Sequence, residues 1–273
     1  MPDWPVGIDS SAMAEIYAQN VVPTILGPWT IETLQHAQAR PGDTVLDVAC
    51  GTGIVTFDVA QLVGPFGRVV GVDTDRGMLA IAERIRNARN MQHVSVREMN
   101  AQQLSFPDGV FDRVVCQHAL MYFDDKAKAV REMYRVLSRG GRMVLTAWGT
   151  RAGNPHEALL AEAFRAYLPE EPAFFATLFS VGERGKIEEV LRDAGVKNNA
   201  IVERVQRSVT FPSTEAYWQG SVYGRPLGAI FDRLPADKQT SIKADALARL
   251  RAYKTPQGYV CPMDGVIVTI SKP

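Results

Sequence analysis

The stretch DVACGTG at residues 47–53 places a carboxylate and two closely spaced glycines directly after an apolar, strand-like run. A strand that turns sharply into a helix exposes backbone N–H groups, and Gly51 and Gly53 let a ligand approach that backbone closely. A dinucleotide fingerprint requires glycine or alanine at the third position, where this chain has Thr56, and a P-loop lysine does not follow Gly53. The turn by itself therefore predicts either a nucleotide-like ligand or an ordinary strand-to-helix connection.

Side chains at the ends of the next two strand-like runs add to this pattern. Asp73 ends the run RVVGVD, where a carboxylate can accept both hydroxyls of a ribose or, alternatively, cap the helix that follows. Met78 has a flexible thioether that could lie on an adenine face or in the core. Asn100 ends the third run and can pair with an adenine amino group, while the backbone at Ala101 can serve a ring nitrogen. Together these positions favour an adenosine-containing ligand.

Short β-branched runs alternate with longer helical patterns from residue 44 onward, which predicts βαβ units in a doubly wound parallel sheet. The runs predict strands at 44–49, 68–73, 94–99, 111–118, 141–148, 200–213 and 265–273. Helical patterns are found at 53–63, 76–89, 126–138, 156–168, 182–195 and within 213–253. Open sheets of this kind bind ligands outside the carboxyl ends of their strands, so the residues named above should meet at one edge.

The composition favours a globular protein with a small or neutral partner. Thirty basic and thirty acidic side chains cancel in the 273 residues, so no overall field attracts nucleic acid or an anionic membrane. Three scattered cysteines, Cys50, Cys116 and Cys261, suit a reducing compartment, and neither a leader pattern nor an apolar run of about 18 residues is visible. We therefore expect a cytoplasmic protein that binds neither nucleic acid nor membranes.

Two further properties follow from what the sequence lacks or leaves open. The four histidines show no metal-ligand spacing, so we predict no metal site. Monomer and homodimer both remain open, because a surface patch cannot be identified in one sequence.

Four stretches follow one another in the order and spacing of a known family: VLDVACGTG, VVGVDTDRGMLAIA, NAQQLSFPDGVFDRVVCQHALMYFDD and AVREMYRVLSRGGRMVLTAWG. Over about residues 40–150 the chain resembles the class I S-adenosylmethionine-dependent methyltransferases, especially the small-molecule branch of quinone-biosynthesis and natural-product enzymes. The resemblance implies a Rossmann-like α/β sheet of seven mostly parallel strands with helices on both faces, ordered 3-2-1-4-5-7-6 with the last strand antiparallel. It also implies S-adenosyl-L-methionine as cofactor, S-adenosyl-L-homocysteine as product and a small-molecule methyl acceptor.

Carried over residue by residue, the resemblance assigns cofactor contacts to particular positions. Asp47, Gly51 and Gly53 would bind the methionine portion of the cofactor, with Ala49 and Cys50 in the same turn. Asp73 would bind the ribose, with Thr74 beside it. The adenine would be bound by Met78, Asn100 and Ala101. Gln117 would face the sulfonium side, and Tyr17 would close over the cofactor from an N-terminal helix. Many relatives carry aspartate where this chain has Asn100, so the amide must orient its donor and acceptor differently.

The turn-rich break GTRAGNP after the fifth strand divides the chain into parts of different character. We expect residues 1–40 to form an N-terminal helical segment that covers the cofactor site, and residues 41–273 to form the methyltransferase domain. Insertions at about 149–183 and 212–257 follow strands that should end at the ligand-binding edge. They are therefore predicted to form a cap that shapes the acceptor pocket.

In-line methyl transfer requires alignment of the acceptor and exclusion of water more than acid–base machinery, and no catalytic triad stands out in the sequence. His118, past the fourth strand, is the candidate general base, and a packed histidine at a strand end is the alternative. Candidate acceptor contacts, for which aromatic packing is the competing explanation, are Tyr122, Trp148, His156 and Tyr223.

Two other functions fit parts of the pattern. A non-catalytic S-adenosylmethionine-binding partner or sensor would keep the pocket without turnover, although the cap insertions argue for an acceptor. An NAD-dependent oxidoreductase would use a similar sheet, although Thr56 at the third-glycine position argues against it.

Overall fold

A computed structural model describes residues 10–183 and 185–273 of the chain. Its centre is one eight-stranded sheet in the order β3-β2-β1-β4-β5-β8-β6, in which β7 pairs with β8 beside this path. The strands are β1 Thr44–Val48, β2 Arg68–Asp73, β3 Val94–Glu98, β4 Phe111–Gln117, β5 Leu137–Trp148, β6 Ala200–Phe211, β7 Lys254–Thr255 and β8 Gly258–Ser271.

Strand directions agree with the predicted sheet. The strands β1 to β5 pair in parallel, and β8 runs antiparallel between β5 and β6. The predicted order 3-2-1-4-5-7-6 is confirmed, with β8 as the closing strand and the two-residue β7 as an addition. Because β8 reverses the direction between them, β5 and β6 point the same way, and both end at the edge where β1, β2 and β4 end.

Two strands begin several residues before their predicted starts, and the reason lies in pairing. Strand β8 begins at Gly258 rather than 265, because residues 259–264 pair with the second half of β6. Strand β5 begins at Leu137 because that residue pairs with Phe111, so the preceding helix ends at Val136 rather than 138. Both extensions depend on partners that are distant in the sequence.

Helices cover both faces of the sheet and its carboxyl edge. The α-helices are α1 Ser10–Ile16, α2 Gly27–Ala37, α3 Ile54–Val63, α4 Arg76–Ala88, α5 Lys126–Val136, α6 Pro155–Tyr167, α7 Ala173–Leu178, α8 Lys186–Asp193, α9 Thr214–Trp218, α10 Leu227–Asp232 and α11 Ala236–Leu250. Two π-helical stretches, Tyr17–Leu26 and Gln219–Tyr223, and three 3-10 turns, Leu120–Tyr122, Lys197–Asn199 and Arg251–Tyr253, complete the set. Within residues 10–183 and 185–273, no helix combines the length and the apolar character needed to cross a bilayer.

Residues 10–37, termed here the N-terminal arm, are helical throughout and comprise α1, a π-helical stretch and α2. Pro23 has no N–H to donate and lies inside the π-helical stretch. Arg84 of α4 donates two hydrogen bonds, of 2.6 and 2.9 Å, to the Glu15 carboxylate of α1. At the other end of the arm α2 packs on β4 and β5. Residues 1–9 of the predicted N-terminal segment lie outside the described residues.

Helices α6, α7 and α9–α11, termed here the cap, pack over the carboxyl edge through aromatic side chains. The Phe164 ring lies 6.1 Å from Phe175 and 6.2 Å from Phe231, and Trp218 lies 4.9 Å from Phe231. These residues belong to the same buried cluster as Trp148 of β5. The cap therefore shares the hydrophobic core of the sheet, and its position over the edge is set by that shared packing.

Candidate active site

A cavity of about 340 Å³ opens at the carboxyl edge of the sheet, between the strand ends, the N-terminal arm and the cap. Small-ligand pockets typically measure roughly 300–1,000 Å³. The predicted site residues in the cavity wall are Tyr17, Ala49, Gly51, Asp73, Thr74, Met78, Asn100, Ala101, Gln117, His118, Tyr122 and Trp148. The cavity wall does not include Asp47, Cys50, Gly53, His156 and Tyr223.

The turn after β1 bends sharply through left-handed backbone conformations. Ala49, Gly51 and Gly53 have φ angles of +57°, +55° and +92°. The backbone N–H of Gly53 donates to the Cys50 carbonyl over 2.9 Å, which closes the turn before α3 begins. A Cβ on Gly53 would lie 2.4 Å from the Phe57 ring, so glycine is required there by sterics as well as by φ. This turn brings the Gly51 backbone to the cavity wall.

Asp47 lies behind the turn instead of facing the cavity. Its carboxylate is 1% exposed and accepts a hydrogen bond of 2.6 Å from the Thr56 hydroxyl of α3. Burial raises the pKa of Asp47 to about 7, against the opposite effect of the Thr56 hydrogen bond. Asp47 and Thr56 thus tie the end of β1 to α3, which gives a structural role to the residue found at the third-glycine position.

Asp73, the last residue of β2, holds two backbone amides at the cavity wall. Its Oδ2 accepts from the Gly51 N–H over 2.8 Å, and its Oδ1 accepts from the Asp75 N–H over 2.9 Å. Burial raises the pKa of this carboxyl, while the amide hydrogen bonds act in the opposite direction. The N-cap of α4 is Asp75, which accepts from the Met78 N–H over 3.0 Å. Asp73 is therefore not the helix cap, and its remaining lone pairs face the cavity.

Beyond β3 the wall combines thioethers with amide groups. Met78 and Ala101 line the cavity together with Met99, which the sequence patterns did not indicate. The Asn100 Oδ1 accepts hydrogen bonds from the Gln102 N–H over 2.8 Å and from Gln102 Nε2 over 3.4 Å. This part of the cavity has apolar faces and one amide edge.

Gln117, the last residue of β4, joins the sheet to the N-terminal arm. Its Nε2 donates to Thr30 Oγ1 over 3.0 Å, and its Oε1 lies 2.7 Å from the Thr33 hydroxyl. The arm also contributes Met13 and Tyr17 to the cavity wall. Burial raises the pKa of the Tyr17 phenol, so this hydroxyl stays protonated. The arm thus forms one wall of the cavity and is fixed to the strand end through Gln117.

His118 follows β4 in a left-handed conformation, with φ of +50°. Its Nδ1 lies 2.8 Å from Thr146 Oγ1, and its Nε2 is buried without a hydrogen-bond partner among the described residues. The ring lies 4.3 Å from Trp148 and 5.0 Å from Trp29. Burial lowers the pKa of His118 to about 3, so the imidazole is neutral at physiological pH.

His156 is fully buried under the cap, whereas Tyr223 is only partly buried. His156 is 0% exposed, and burial lowers its pKa to about 4. The Tyr223 hydroxyl donates to Asp232 over 3.0 Å, and its ring packs edge-on against Phe231. The His156 ring packs against Trp148 of β5 and Phe211 of β6, at 6.2 and 6.0 Å, so it lies behind Trp148 and, like Tyr223, does not line the cavity.

Arg225, Phe174 and Phe123 are further wall residues that the sequence patterns did not indicate. The Arg225 guanidinium donates to the Glu157 carboxylate of α6, and the exposed fractions of the two side chains are 8% and 0%. It also lies over the Phe174 ring, 5.8 Å from the centroid. The partners are far apart in sequence and show no spacing signal.

Among the residues described, no cluster of three histidine, cysteine or acidic side chains could hold a metal ion. Burial raises the pKa values of the Cys50 and Cys116 thiols, so neither is a thiolate ligand or nucleophile at neutral pH.

The sheet order, with its antiparallel closing strand and its cavity at the carboxyl edge, is that of the class I methyltransferases. Residues 46–145 match the family model described as a methyltransferase domain. The chain is 32% identical over 178 residues to the demethylmenaquinone methyltransferase of Alkalihalophilus pseudofirmus, and the match covers 61% of this chain and 75% of that enzyme. The chain belongs to the class I S-adenosylmethionine-dependent methyltransferases of the small-molecule type, and its cofactor is S-adenosyl-L-methionine.

Two further matches agree with this family. The ubiquinone/menaquinone biosynthesis C-methyltransferase UbiE of Escherichia coli is 38% identical over 140 residues, which are 51% of this chain and 54% of that enzyme. The Haemonchus contortus phospholethanolamine N-methyltransferase 2, solved with phosphomonomethylethanolamine and S-adenosylhomocysteine, superposes with a TM-score of 0.60 at 18% identity. That superposition covers 97% of this chain and 57% of the other, and it concerns the fold alone. None of these matches supports the nicotinamide-dependent alternative.

Proposed function

We propose that the chain methylates a planar, largely apolar acceptor that lies between the ends of β4 and β5 and the cap. The observation that carries this proposal is the wall around that part of the cavity. Trp148, Tyr122, Phe123 and Phe174 supply flat aromatic surfaces to this wall. A flat acceptor would bury its faces against these rings, with a favourable energy from dispersion and area burial.

The cofactor assignments follow the wall of the other half of the cavity. We assign the ribose to Asp73 and Thr74, the adenine to Met78, Asn100 and Ala101, and the methionine portion to Ala49, Gly51 and Gln117, with Tyr17 above. Asp47, Cys50 and Gly53 would support the turn from behind. The fit rests on a carboxylate with free lone pairs at the ribose position and on backbone left open by two glycines.

S-adenosyl-L-methionine supplies a methyl group already activated on a positive sulfonium. The task left to this chain is to hold an acceptor atom in line with that methyl and to keep water away. The N-terminal arm and the cap close the cavity from two sides, and the aromatic wall fixes the plane of the acceptor. Proximity and desolvation therefore carry most of the rate acceleration.

His118 orients the acceptor through Nε2 in this proposal. That atom is buried beside the cavity without a partner among the described residues, so an acceptor hydroxyl would satisfy it. A general base works best with a pKa near the working pH, and burial lowers the pKa of His118 to about 3. The imidazole is accordingly a neutral hydrogen-bonding group that positions the acceptor.

The names of relatives are in agreement with a ring-shaped acceptor. The matched enzymes from A. pseudofirmus and E. coli are named for demethylmenaquinone and for ubiquinone and menaquinone biosynthesis. We infer an aromatic acceptor of the quinol type and carbon as the accepting atom. The cap supports a specific acceptor, because each predicted insertion contributes to the wall, Phe174 from 149–183 and Arg225 from 212–257.

The class of partner is inferred from the net charge, and the cellular location from the cysteines. Thirty acidic and thirty basic side chains leave no net field for a polyanion, which supports a small-molecule partner and a site that does not bind nucleic acid. We infer a cytoplasmic protein from the absence of disulfides among three free cysteines.

Transfer of labelled methyl groups tests the proposal. The full chain is incubated with methyl-labelled S-adenosylmethionine and either reduced naphthoquinones or small amines and carboxylic acids. Label in the naphthoquinol products is expected, and label only in amines or acids would overturn the acceptor class. Phe174→Ala should raise the KM for the quinol by roughly tenfold, because a large contact is lost. Phe66→Ala is the matched control, since Phe66 is 95% exposed and far from the cavity wall.

A further inference from the structure

Arg225 is a buried cation at the aromatic half of the cavity, and no role in the methyl donor site accounts for it. It is 8% exposed, lines the cavity and lies over the Phe174 ring. Buried arginines are retained where a carboxylate, phosphate or other oxyanion must be recognised, because the planar fork offers five N–H donors in fixed directions.

Glu157 holds this guanidinium but does not use all of its donors. One guanidinium nitrogen, Nη1, donates to Glu157 Oε1, and His156 Nε2 lies 3.4 Å from the same oxygen. Within the described part of the chain, each of the other guanidinium nitrogens of Arg225 either has a hydrogen-bond partner or is accessible at the surface of the side chain. Because the side chain also lines the cavity, Arg225 can bind Glu157 on one side and a ligand oxygen on the other.

The groups around Arg225 include one carboxylate, Glu157, whose Oε2 is buried without a hydrogen-bond partner among the described residues, and the other titratable groups there are neutral. Besides Glu157 and His156 of α6, the titratable groups whose charges interact with it are Tyr217 of α9, Tyr17 of the arm, Tyr122 and His118. The histidines are neutral, and burial raises the pKa values of the phenols, Tyr122 to about 12. An acceptor oxygen at this place would meet one guanidinium and neutral hydroxyl donors.

We propose that Arg225 is the oxyanion-binding group of the acceptor pocket and that the acceptor is a flat aromatic ring whose hydroxyl is bound in its ionised form. This inference rests on the proposed function and narrows its substrate class. On binding, the O–H bond of the acceptor breaks, its electron pair stays on the oxygen, and the proton passes to bulk water. The oxyanion then pairs with Arg225, and the negative charge spread into the ring makes ring carbon a better nucleophile. Glu157 is a positioning residue that keeps the guanidinium in place.

Binding to protein saturated with S-adenosylhomocysteine tests this with three matched probes. The probes are 2-naphthol, naphthalene and 2-naphthoate, which share a ring system and differ in the oxygen group. At pH 7 the wild type should bind 2-naphthol roughly 10- to 100-fold more tightly than naphthalene, as a charge-assisted hydrogen bond provides. Calorimetry in buffers of different ionisation enthalpy should show release of about one proton per naphthol bound, and the absorbance of the complex should be that of naphtholate.

Variants separate the role of Arg225 from folding. Arg225→Gln alone leaves Glu157 as an uncompensated buried charge, so the double variant Arg225→Gln with Glu157→Gln removes both charges together. We expect this variant to keep its affinity for S-adenosylhomocysteine and for naphthalene, to lose the preference for naphthol and to release no proton. The single variant Arg225→Lys should keep part of the preference for naphthol that the double variant loses. Arg251 is exposed, so Arg251→Gln should behave as the wild type.

Four results would overturn the inference. Equal binding of naphthol and naphthalene by the wild type, naphthol bound without proton release, or an unchanged preference in the double variant would exclude an oxyanion at Arg225. Naphthoate bound tenfold more tightly than naphthol would assign the site to a carboxylate ligand instead. If the wild type fails to bind S-adenosylhomocysteine at all, the failure lies with the cofactor assignment and not with Arg225, and transfer assays distinguish the two.

Discussion

The carboxylate of Asp73 accepts a hydrogen bond of 2.8 Å from the backbone N–H of Gly51, so the end of β2 holds the turn that follows β1. The same carboxylate accepts the Asp75 N–H and lines the cavity. One side chain therefore fixes the shape of this turn and lines the cavity. In the proposed cofactor site the same carboxylate would also bind the ribose, which would couple binding to local stability.

Asp73→Asn should weaken binding of S-adenosylhomocysteine by roughly 10- to 100-fold. The amide keeps one acceptor oxygen but loses the charge that strengthens hydrogen bonds to the ribose hydroxyls and to the Gly51 and Asp75 amides. Isothermal titration calorimetry measures the change. Glu98→Gln is the control, because Glu98 lies opposite Asp73 in the β2–β3 register but is exposed, and its affinity should stay within twofold of the wild type. Equal effects of the two substitutions would contradict the ribose assignment.

Gly53→Ala should lower the thermal midpoint and the cofactor affinity much more than Gly185→Ala. Both glycines are N-cap residues in the left-handed region, with φ of +92° before α3 and +88° before α8, so each substitution costs about 1–2 kcal/mol of backbone strain. Only at Gly53 does the new Cβ meet the Phe57 ring, at 2.4 Å, whereas nothing lies within 4 Å of it at Gly185. Calorimetric unfolding compares the two variants. A larger effect at Gly185 would show that the steric contact with Phe57 is relieved by side-chain movement.

Local sequence patterns were sufficient for the strands themselves and insufficient for the details of their pairing. Strands such as β1 and β2 carry β-branched residues between turn formers, so their type and their positions along the chain could be predicted from neighbouring residues. The order 3-2-1-4-5-7-6 in the sheet came from the resemblance to the methyltransferase family. The start of β8 at Gly258 could not, because residues 259–264 become a strand only by pairing with β6. The π-helical stretch that contains Pro23 was also not predicted, because the sequence pattern indicated only a helical segment there.

The residues of the predicted site also fall into a group that local patterns could identify and a group that they could not. Side chains at strand ends, such as Asp73 and Gln117, reach the cavity because the topology brings carboxyl ends together. Within the cap, no periodicity distinguishes a pocket residue from a core residue, so His156 and Tyr223 were predicted and Arg225 was not. The pairing of Arg225 with Glu157 arises only when α6 and the segment before α10 are packed together.

Asp47→Asn should reduce the dependence of stability on pH. The pKa of Asp47 is about 7 in the folded chain, raised by burial from 3.8. Between these values the unfolded chain has released the proton and the folded chain has kept it, so the free energy of unfolding falls as pH rises and levels off above about pH 7. The contribution is at most about 4 kcal/mol.

Urea unfolding at pH 4.5 and pH 7.5 measures that difference. The amide oxygen introduced by Asp47→Asn would still accept from the Thr56 hydroxyl, so the variant should retain its fold. Its free energy of unfolding should differ between the two pH values by several kcal/mol less than that of the wild type. Asp237→Asn, on an exposed first turn of α11, should leave the change as in the wild type. A variant with undiminished pH dependence would mean that other groups cause it.

Thr33→Val should speed dissociation of S-adenosylhomocysteine by roughly fivefold. Valine keeps the shape but removes the hydroxyl that lies 2.7 Å from Gln117 Oε1, at a net loss of about 1 kcal/mol that holds the N-terminal arm to β4. Surface plasmon resonance measures the dissociation rate. Thr240→Val removes a comparable hydroxyl from exposed α11 and should leave the rate unchanged. An unchanged rate for Thr33→Val would mean that the arm does not move when the ligand leaves.

His118→Asn should lower kcat/KM for methyl transfer by roughly tenfold without changing the shape of the pH profile. Asparagine tolerates the left-handed backbone at φ of +50° and reaches Thr146 as Nδ1 does, so the substitution removes mainly the Nε2 side of the ring. Because burial lowers the pKa of His118 to about 3, the imidazole does not change its charge between pH 6 and 9, and its loss should remove only an orienting hydrogen bond. Steady-state rates across that range provide the comparison. A wild-type rate that rises through pH 6–7 and becomes flat in His118→Asn would instead identify His118 as a titrating general base, whose pKa shifts toward neutrality when the cofactor and acceptor are bound.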